Sequence, residues 1–548
     1  MRVAFAIFSA LVTVSSSLAS PHSRQRRSYP LGRRSESIFI NPAALPSLPT
    51  VQAVNELHGA LNTDNIQPAY QSDILVGMKK NQELFYFFHI NNGATFRSKM
   101  SSDIIALITT TTEILSVDTQ PVTALNLAFS QHGLNALGVT DDLGDPNFTN
   151  GQLSDLTGDL PGPIGDNNST WVSEFTAGTI DGVFLLASDS VDNINTELAR
   201  LQATLGSSIT TLYQIQGSAR PGAEAGHEHF GFMDGISQPA VNGFTNPVLP
   251  GQTAVDAGLF LVGAASDPNL AARPASGWAT DGSFLVFRQL QQLVPEFNKF
   301  LTQHPLDQNT LTREEGSELL GARMMGRWKS GAPIYLTPTR DDPVLAADPK
   351  RNNNFDYLDN SNQSNVDNHF NQVFLLEFSR QLLTLDESRC PFGAHIRKVH
   401  PRGDLDASVE NPHFIIRSSI PYGPELTASE NATGVTAHDR GLAFVAYQSD
   451  ISNGFTFLQN VWINSIGFPF GKYDPTIGVD PIIGTLNGLG APKNISGLDP
   501  LVPDLDQTDV WHDVVLPTDY VISKGGEYFF SPSLAGLEFI AGEKRHSI

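Results

Sequence analysis

Cysteine is almost missing from this chain. Cys390 is the only one among 548 residues, which excludes an intrachain disulfide. Stability must then come from burial, and a chain of this length at 40% hydrophobic composition can build a large core. A lone exposed thiol is a liability outside a reducing compartment, so Cys390 is expected inside that core. Positive charge is scarce as well: 34 Lys and Arg face 57 Asp and Glu, for a net charge of −23. That imbalance argues against nucleic acid and anionic membranes as partners, because both require clustered cations. It is compatible with small organic substrates and an acidic surrounding. After the first 14 residues no apolar run is long enough for a transmembrane helix. Low-complexity tracts and short solenoid repeats are missing too.

What is present begins with a processing signature. Met1-Arg2 is a short positive segment, Val3 to Val14 is apolar, and Ser15 to Ser20 supplies small residues for a signal peptidase. Residues 1–20 therefore read as a secretory signal. Residues 21–34 contain Arg26-Arg27 and Arg33-Arg34 and read as a propeptide, so that a secreted, extracellular chain starts near Ser35. Removing residues 1–34 takes away six arginines and no acids, which leaves a net charge of −29. Sequons at Asn147, Asn167, Asn168, Asn362, Asn431 and Asn494 fit an exported glycoprotein.

The mature length suits two domains. The Pro- and Gly-rich stretch Asn246 to Gly251 marks the join, giving an N-terminal domain over 35–250 and a C-terminal domain over 251–548. Asp181-Gly182-Val183-Phe184-Leu185-Leu186 leads into a helical pattern through Leu198 and Leu201. Asp281-Gly282-Ser283-Phe284-Leu285-Val286 leads into another through Leu293 and Phe297. The echo reads either as a duplicated α+β unit or as two ordinary strand–helix pairs. Asp73 to Ile90 is predicted to form two strands around the polar Lys79 to Gln82. Helices are predicted over Ser101 to Leu115 and Phe455 to Trp462, and strands over Ile209 to Ile215 and Gly441 to Tyr447. The class is α+β.

Three segments carry the residues for chemistry. In Gly226 to Gly235, glycines flank His227, Glu228, His229 and Asp234, and a tight backbone there would hold one carboxylate in a fixed direction. The same residues fit an ordinary turn, or a zinc site of a metallohydrolase built on His227, His229 and Asp234. In Cys390 to Arg402, small and apolar residues precede His395 and basic residues follow it. A b-type haem needs one imidazole for its iron and cations for its two propionates, although a structural histidine at a basic helix end gives the same pattern. Covalent c-type attachment is excluded, because there is no Cys-x-x-Cys-His. In Asn411 to Gly423, Arg417 ends an apolar strand, which buries its stem and aims its guanidinium at a polar partner; a structural ion pair would do the same.

Taken together, these segments resemble the dye-decolourising peroxidases. Gly231-Phe232-Met233-Asp234-Gly235 matches that family's G-x-x-D-G signature. CPFGAHIRK, IIRSSIPYG and GLAFVAYQSD look like its proximal-histidine, distal-arginine and distal-wall motifs, in the family's order. Gly326-Arg327-Trp328 followed by Gly331-Ala332-Pro333 is also similar, and the matching segments run from Gly226 to Trp462. The resemblance implies two ferredoxin-like domains with antiparallel sheets, of the dimeric α+β barrel type, enclosing one haem b per chain. It implies His395 as the iron ligand, Asp234 as the distal acid–base group and Arg417 as the group that stabilises peroxide heterolysis. Arg402 and His227 are implied at the propionates, and Asp480 as partner of the non-iron nitrogen of His395. Leu442 and Phe444 are implied to wall the distal pocket. His400 stands where the family usually has asparagine.

Tyr422 and Trp462 resemble positions that carry electrons between the haem and bulky donors at the surface in some relatives. The implied partners are hydrogen peroxide and small aromatic reductants such as dyes and phenols, with no nucleic acid and no membrane. An aspartate, with a reference pKa of ~3.9, shuttles the peroxide proton best in mildly acidic solution. The alternatives are a secreted haem-binding protein without peroxidase turnover, or the metallohydrolase at His227 and His229.

Overall fold

The structure is a computed structural model that describes residues 70–78, 81–115, 121–156, 164–306, 311–357, 387–470, 477–486, 492–499 and 514–542. The leader and propeptide expected over 1–34, and the sequon at Asn362, lie outside the described residues. No helix among the described residues is long and apolar enough to cross a membrane.

The N-terminal half supplies strands β1 (Gln82–Ile90), β2 (Ala124–Phe129), β3 (Gly182–Ser188) and β4 (Ile209–Ser218). A short parallel pair follows, β5 (Ala240–Val241) with β6 (Ala254–Val255). The C-terminal half supplies β7 (Ser283–Gln292), β8 (Ile416–Arg417), β9 (Ile420–Tyr422) and β10 (Gly441–Gln448). A small antiparallel pair, β11 (Lys493–Ile495) with β12 (Val514–Leu516), precedes the last strand, β13 (Val521–Ser531).

Within the main sheet the N-terminal strands lie in the order β2-β3-β1-β4 and the C-terminal ones in the order β13-β7-β10-β9. Each half therefore has its fourth strand beside its first and its second beside its third, the antiparallel ferredoxin-like order. The halves join where β4 meets β9, through Gly217 and Tyr422, and where β2 meets β13, through Phe129 and Phe530. Pairing of β7 with β10 completes the ring, so the sheet closes into a barrel with no free edge between the halves.

Closure explains why the strands read as nearly continuous apolar runs rather than alternating ones. Both faces of β1, β2, β3 and most of β7 are covered, whereas β4 is partly exposed. Phe85, Phe87, Leu185, Phe287, Val445 and Phe529 belong to the inner cluster, whereas Tyr86, Phe88, Leu186, Val286, Tyr528 and Phe530 belong to the outer one. The outer face is packed by helices such as α1 (Val191–Leu205), which buries Ile194, Leu198, Leu201 and Leu205 along one stripe. Over the C-terminal half the covering layer includes α2 (Val294–Gln303), α3 (Arg313–Met325) and α4 (His395–Val399). A capping box between Thr312 and Glu315 starts α3, and Gly326 at φ +92° ends it. A side chain at Gly326 would also meet Ile396 Cγ1 at 2.4 Å, so the turn brings α3 and α4 close together.

Several sequence expectations change. Ser72–Leu75 is a helical turn rather than a strand, and only Gln82–Ile90 extends. The reason is Asp73, whose buried carboxylate accepts from Met78 N (3.0 Å), Ser418 Oγ (2.9 Å) and Tyr447 Oη (2.9 Å). The helix expected over 101–115 instead begins at Gly93, widens over Met100–Ile104, breaks at Thr109, whose N–H pairs with Leu125 O, and resumes as a short helix over Thr111–Leu115. Asn246 to Gly251 is no free linker: it closes the loop between β5 and β6, and Gly251 packs on the Asn353 backbone. The echo at Asp181 and Asp281 joins non-equivalent places, the third strand of one half and the first of the other. The duplication lies in the topology, and that echo is two strand–helix pairs. Cys390 is buried, as expected.

Phe287 tests the unity of the barrel, because its ring lies 5.0 Å from Phe85, 4.9 Å from Phe87 and 6.1 Å from Phe175, all in the other half. Phe287→Ala should cost about 3–5 kcal/mol. Urea unfolding followed by circular dichroism should show one transition moved to lower denaturant; two separated transitions would mean that the halves unfold independently.

Candidate active site

The outward side chains of β7 and β10 do two jobs. Phe284 and Val286 pack under helices, but Arg288, Leu290 and Gln292, of the same parity, line a cavity of about 240 Å³. Leu442 and Phe444 on β10 face the same space, paired across the sheet with Leu290 and Arg288. The cavity thus lies outside the barrel, on the C-terminal half. Leu458, Gln459 and Ile463 add to its wall from a helical segment, Leu458–Ile463, with widened π-type turns. The helix expected over Phe455 to Trp462 is therefore present but wider than α-helical.

One wall carries an imidazole. His395 is the first residue of α4, and its Nδ1 lies 2.6 Å from Asp480 Oδ2. The other oxygen of Asp480 accepts from Ile482 N (2.8 Å) and Ile483 N (3.1 Å), so this wholly buried carboxylate cannot swing away. With Nδ1 committed, Nε2 is the nitrogen left for the cavity. Burial alone would lower the His395 pKa, but the Asp480 charge and hydrogen bond outweigh it and raise the value. The same contact holds the Asp480 carboxyl below its usual range, against the opposite pull of burial.

Asp234 and Arg417 face the same cavity. Arg417 Nη1 donates to Asp234 Oδ1 (2.9 Å) and Nη2 to Ser237 O (3.0 Å). Asp234 also accepts from Gly235 N at 2.5 Å. Burial pushes its carboxyl upward, yet the Arg417 charge and these hydrogen bonds win and leave it below the ordinary aspartate value. The strand carrying Arg417 is pinned by Gln238, which donates to Arg417 O (2.7 Å) and accepts from Arg417 N (3.2 Å). Glu228, buried on the cavity wall, accepts from Phe230 N and Phe232 N, both at 2.9 Å, and so shapes the turn leading to Asp234.

A third group is cationic. Arg327 and Arg402 both hold Asn353 Oδ1, at 3.1 and 2.7 Å, and otherwise donate to backbone carbonyls. Burial and the neighbouring Arg402 push Arg327 down to about 9. Burial, reinforced by Arg402, Arg327 and Arg417, holds His400 well below the usual imidazole range. Its approach to Glu410, 3.4 Å, is therefore no ion pair; burial raises that carboxyl to about 7. Crowded, desolvated cations of this kind suit an anion that brings its own negative charge.

Other expectations shift. Arg397 and Lys398, which follow His395, do not line the cavity; two and three positions along a helix they point elsewhere. Arg397 is held by Asp404 (2.6 Å) and lies over the Phe392 and Tyr357 rings, and Lys398 donates to Ser465 O (2.6 Å). His227 does not line the cavity either: it pairs with Met233 across the turn, and its Nδ1 lies 3.2 Å from Ala225 O. His229 is buried against Tyr422 O (2.8 Å), with its pKa lowered to about 4 by burial and by Arg220. His227, His229 and Asp234 thus do not converge as a metal site among the described residues. Tyr422 and Trp462, only 6% and 2% exposed, are not themselves surface sites. Sequence reasoning passed over Ser237, Gln238 and Asn353, since their contacts join positions far apart in the chain, and over the turn-forming role of Glu228, whose contacts are local; the polar pair directly after Gly235-Ile236 was a local signal.

A carboxylate–guanidinium pair and an oriented imidazole sharing one apolar cavity suit an enzyme that moves protons beside a bound metal cofactor. Comparison with known proteins names the class. Residues 69–221 match the DyP dimeric alpha+beta barrel domain and residues 263–469 the Dyp-type peroxidase C-terminal domain. The chain is 62% identical over 527 residues to a dye-decolorizing peroxidase of Mycena epipterygia, covering 95% of each. It is 48% identical to the dye-decolorizing peroxidase AauDyP1 of Auricularia auricula-judae, covering 92% of each. A crystal structure of a fungal DyP-type peroxidase from Auricularia auricula-judae superposes with a TM-score of 0.77 at 48% identity, covering 88% of this chain and 98% of that one. The chain belongs to the DyP-type peroxidase family, whose members are haem enzymes that use hydrogen peroxide. It is a peroxidase, of a family active on dyes.

The Asp234–Arg417 contact can be tested before any turnover is measured. Arg417→Leu removes the charge and the side-chain hydrogen bond that lower the carboxyl while burial still raises it, so its pKa should rise above that of the wild type. Carboxyl infrared bands assigned by comparison with Asp234→Asn, followed against pH, should show that rise; an unchanged midpoint would remove Arg417 as the cause.

Proposed function

We propose that this chain is a secreted peroxidase that binds one haem b and oxidises dyes, phenols and other aromatic donors. The observation that carries the reading is the Asp234–Arg417 pair facing the same cavity as a histidine fixed by Asp480. His395 would ligate the iron through Nε2, with Asp480 making the imidazole a stronger donor. Apolar side chains such as Met325, Ile396, Val399 and Ile482 fit a porphyrin face, and Arg402, with Arg327 beside it, fits the propionates. When bound, the haem supplies the two electrons that reduce peroxide and recovers them from the donor.

The chain's own residues handle the protons. Ionised Asp234 takes a proton from one peroxide oxygen and returns it to the other, so that the O–O bond breaks with water as the leaving group. Arg417, fixed by Ser237 O and Asp234, stabilises the negative charge that develops on the departing oxygen. Leu442 and Phe444 narrow the space beside them to small molecules.

Large dyes then call for a path through the protein. Trp462 lies between cavity-lining His413 (centroids 5.1 Å apart) and Phe468 (4.9 Å), which meets the exposed Phe470 at 5.3 Å. Tyr422, hydrogen-bonded to Asp439 (3.0 Å), has an acceptor ready for its proton. Both are relay positions beneath the surface. Secretion rests on the N-terminal sequence, and the exposed sequon residues Asn167, Asn168, Asn431 and Asn494 are accessible for glycosylation.

Purified enzyme should show a Soret band that shifts with one equivalent of hydrogen peroxide at acid pH and returns with a phenolic donor. Asp234→Asn should keep the band and slow the peroxide-driven shift by ~10²–10⁴-fold; wild-type rates in that variant would refute the proton shuttle. The pH dependence has a definite sign. Because Arg417 holds the Asp234 pKa down, its ionised form persists in mild acid and is lost only as pH falls through the lowered value. In Arg417→Leu the acid limb of the peroxide reaction, measured by stopped flow, should move to higher pH.

A further inference from the structure

A second cluster of metal-ligand side chains lies away from the cavity, on the N-terminal half. His89 near the end of β1, His132 in the helix Gln131–Ala136 and Asp181 just before β3 bring their donor atoms within 4.8 Å of one another. None of the three lines the cavity. His89 Nδ1 is 2.8 Å from Asp181 Oδ2, and His132 Nδ1 contacts Asp181 Oδ1. The carboxylate side chain is wholly buried, whereas the imidazoles are 37% and 54% exposed, so solvent can reach the cluster from one side.

The frame that holds these groups is rigid. Asp181 N donates to Phe88 O (2.9 Å), Ser130 N donates to Asp181 O (3.0 Å), and Ile90 N donates to Asp181 Oδ2 (2.5 Å). Gly133 has no side chain for a plain reason: a Cβ there would stand 1.8 Å from Asp181 O. That glycine lets the helix settle on residue 181, which sets His132 over the carboxylate. His89 Nδ1, though close to Oδ2, lacks hydrogen-bond geometry and is shielded from solvent without a hydrogen-bond partner. A shielded ring nitrogen left without a partner beside a buried carboxylate is a position that a cation can satisfy.

We propose that His89, His132 and Asp181 form a binding site for a borderline divalent cation, of which Zn²⁺ or Cu²⁺ is the type. Two imidazoles and one carboxylate select such ions over Ca²⁺ or Mg²⁺, which prefer oxygen donors throughout. Water completes the sphere on the exposed side. The three donors come from three elements of one half, so the ion clips the end of β1, the helix after β2 and the start of β3 together. In a chain with a single cysteine, this cross-link takes the place that a disulfide cannot fill.

The test uses the haem-loaded enzyme stripped with a chelator and titrated with Zn²⁺ in a calorimeter. One equivalent should bind, and Tm should rise with it. His132→Gln, at an exposed position where folding tolerates change, should weaken binding by more than the roughly 10- to 100-fold typical of losing an outer-shell partner. His89→Gln/His132→Gln should abolish both the heat and the Tm rise while peroxide turnover stays as in the wild type. Crystals soaked in Zn²⁺ should give an anomalous peak between the three side chains. Absence of binding in the wild type, or equal binding in the double variant, would overturn the site.

Discussion

The pairing of β4 with β9 and of β2 with β13 is the constraint on which the rest depends. Each half alone would present two open sheet edges, and an exposed edge invites pairing with another chain. Joined edge to edge, the halves enclose an aromatic interior in which Phe85 and Phe87 of one half pack on Phe287 and Phe529 of the other. Once the inside is filled, alternation along each strand leaves every second side chain outside. Helices cover that outer face over β1, β2 and β3 of the N-terminal half, where it is mostly apolar, whereas β4 turns Thr211 and Gln214 to solvent. In the C-terminal half the same parity changes character after Val286 to Arg288, Leu290 and Gln292, and there the cavity opens.

The site obeys a common electrostatic rule at each of its parts. Burial opposes every charge in it, and a charge persists only where a partner of opposite sign is fixed nearby. Asp234 is ionised because Arg417 is held against it, and His395 and Asp480 stabilise one another in the same way. Where such partners are missing the groups yield: His400 is neutral, Arg327 is weakened, and Glu410 is raised. The contrast separates groups poised to move protons from groups waiting for an anion. It also explains why the basic residues directly after His395 serve structure, since Arg397 is neutralised by Asp404 and stacked between aromatic rings.

Much of the site was legible in the chain. Asp234, His395 and Arg417 stand in short segments whose composition advertises them: an acid among glycines, a histidine after small residues, an arginine closing an apolar strand. Asp480 was named as the partner of His395 and lies at 2.6 Å from it. Leu442 and Phe444, which the resemblance implied at the pocket wall, line the cavity. His227 stands off the cavity wall, its Nδ1 turned to Ala225 O within its own turn, a direction that spacing does not report. Tyr422 and Trp462 failed as surface sites for a similar reason: an aromatic side chain carries no mark of depth.

By itself the sequence determined the mixed α+β class, the side chains to consider as candidates for the site and the absence of an intrachain disulfide, because each of these is a property of residue types and short-range patterns. Only the tertiary structure decided how the halves close, which residues face the cavity and which protons are bound. Those properties depend on distances between segments remote in the chain, such as the 183 positions separating Asp234 from Arg417. A pKa in particular belongs to a neighbourhood, and folding assembles that neighbourhood from strands, turns and helix ends that composition lists but cannot bring together.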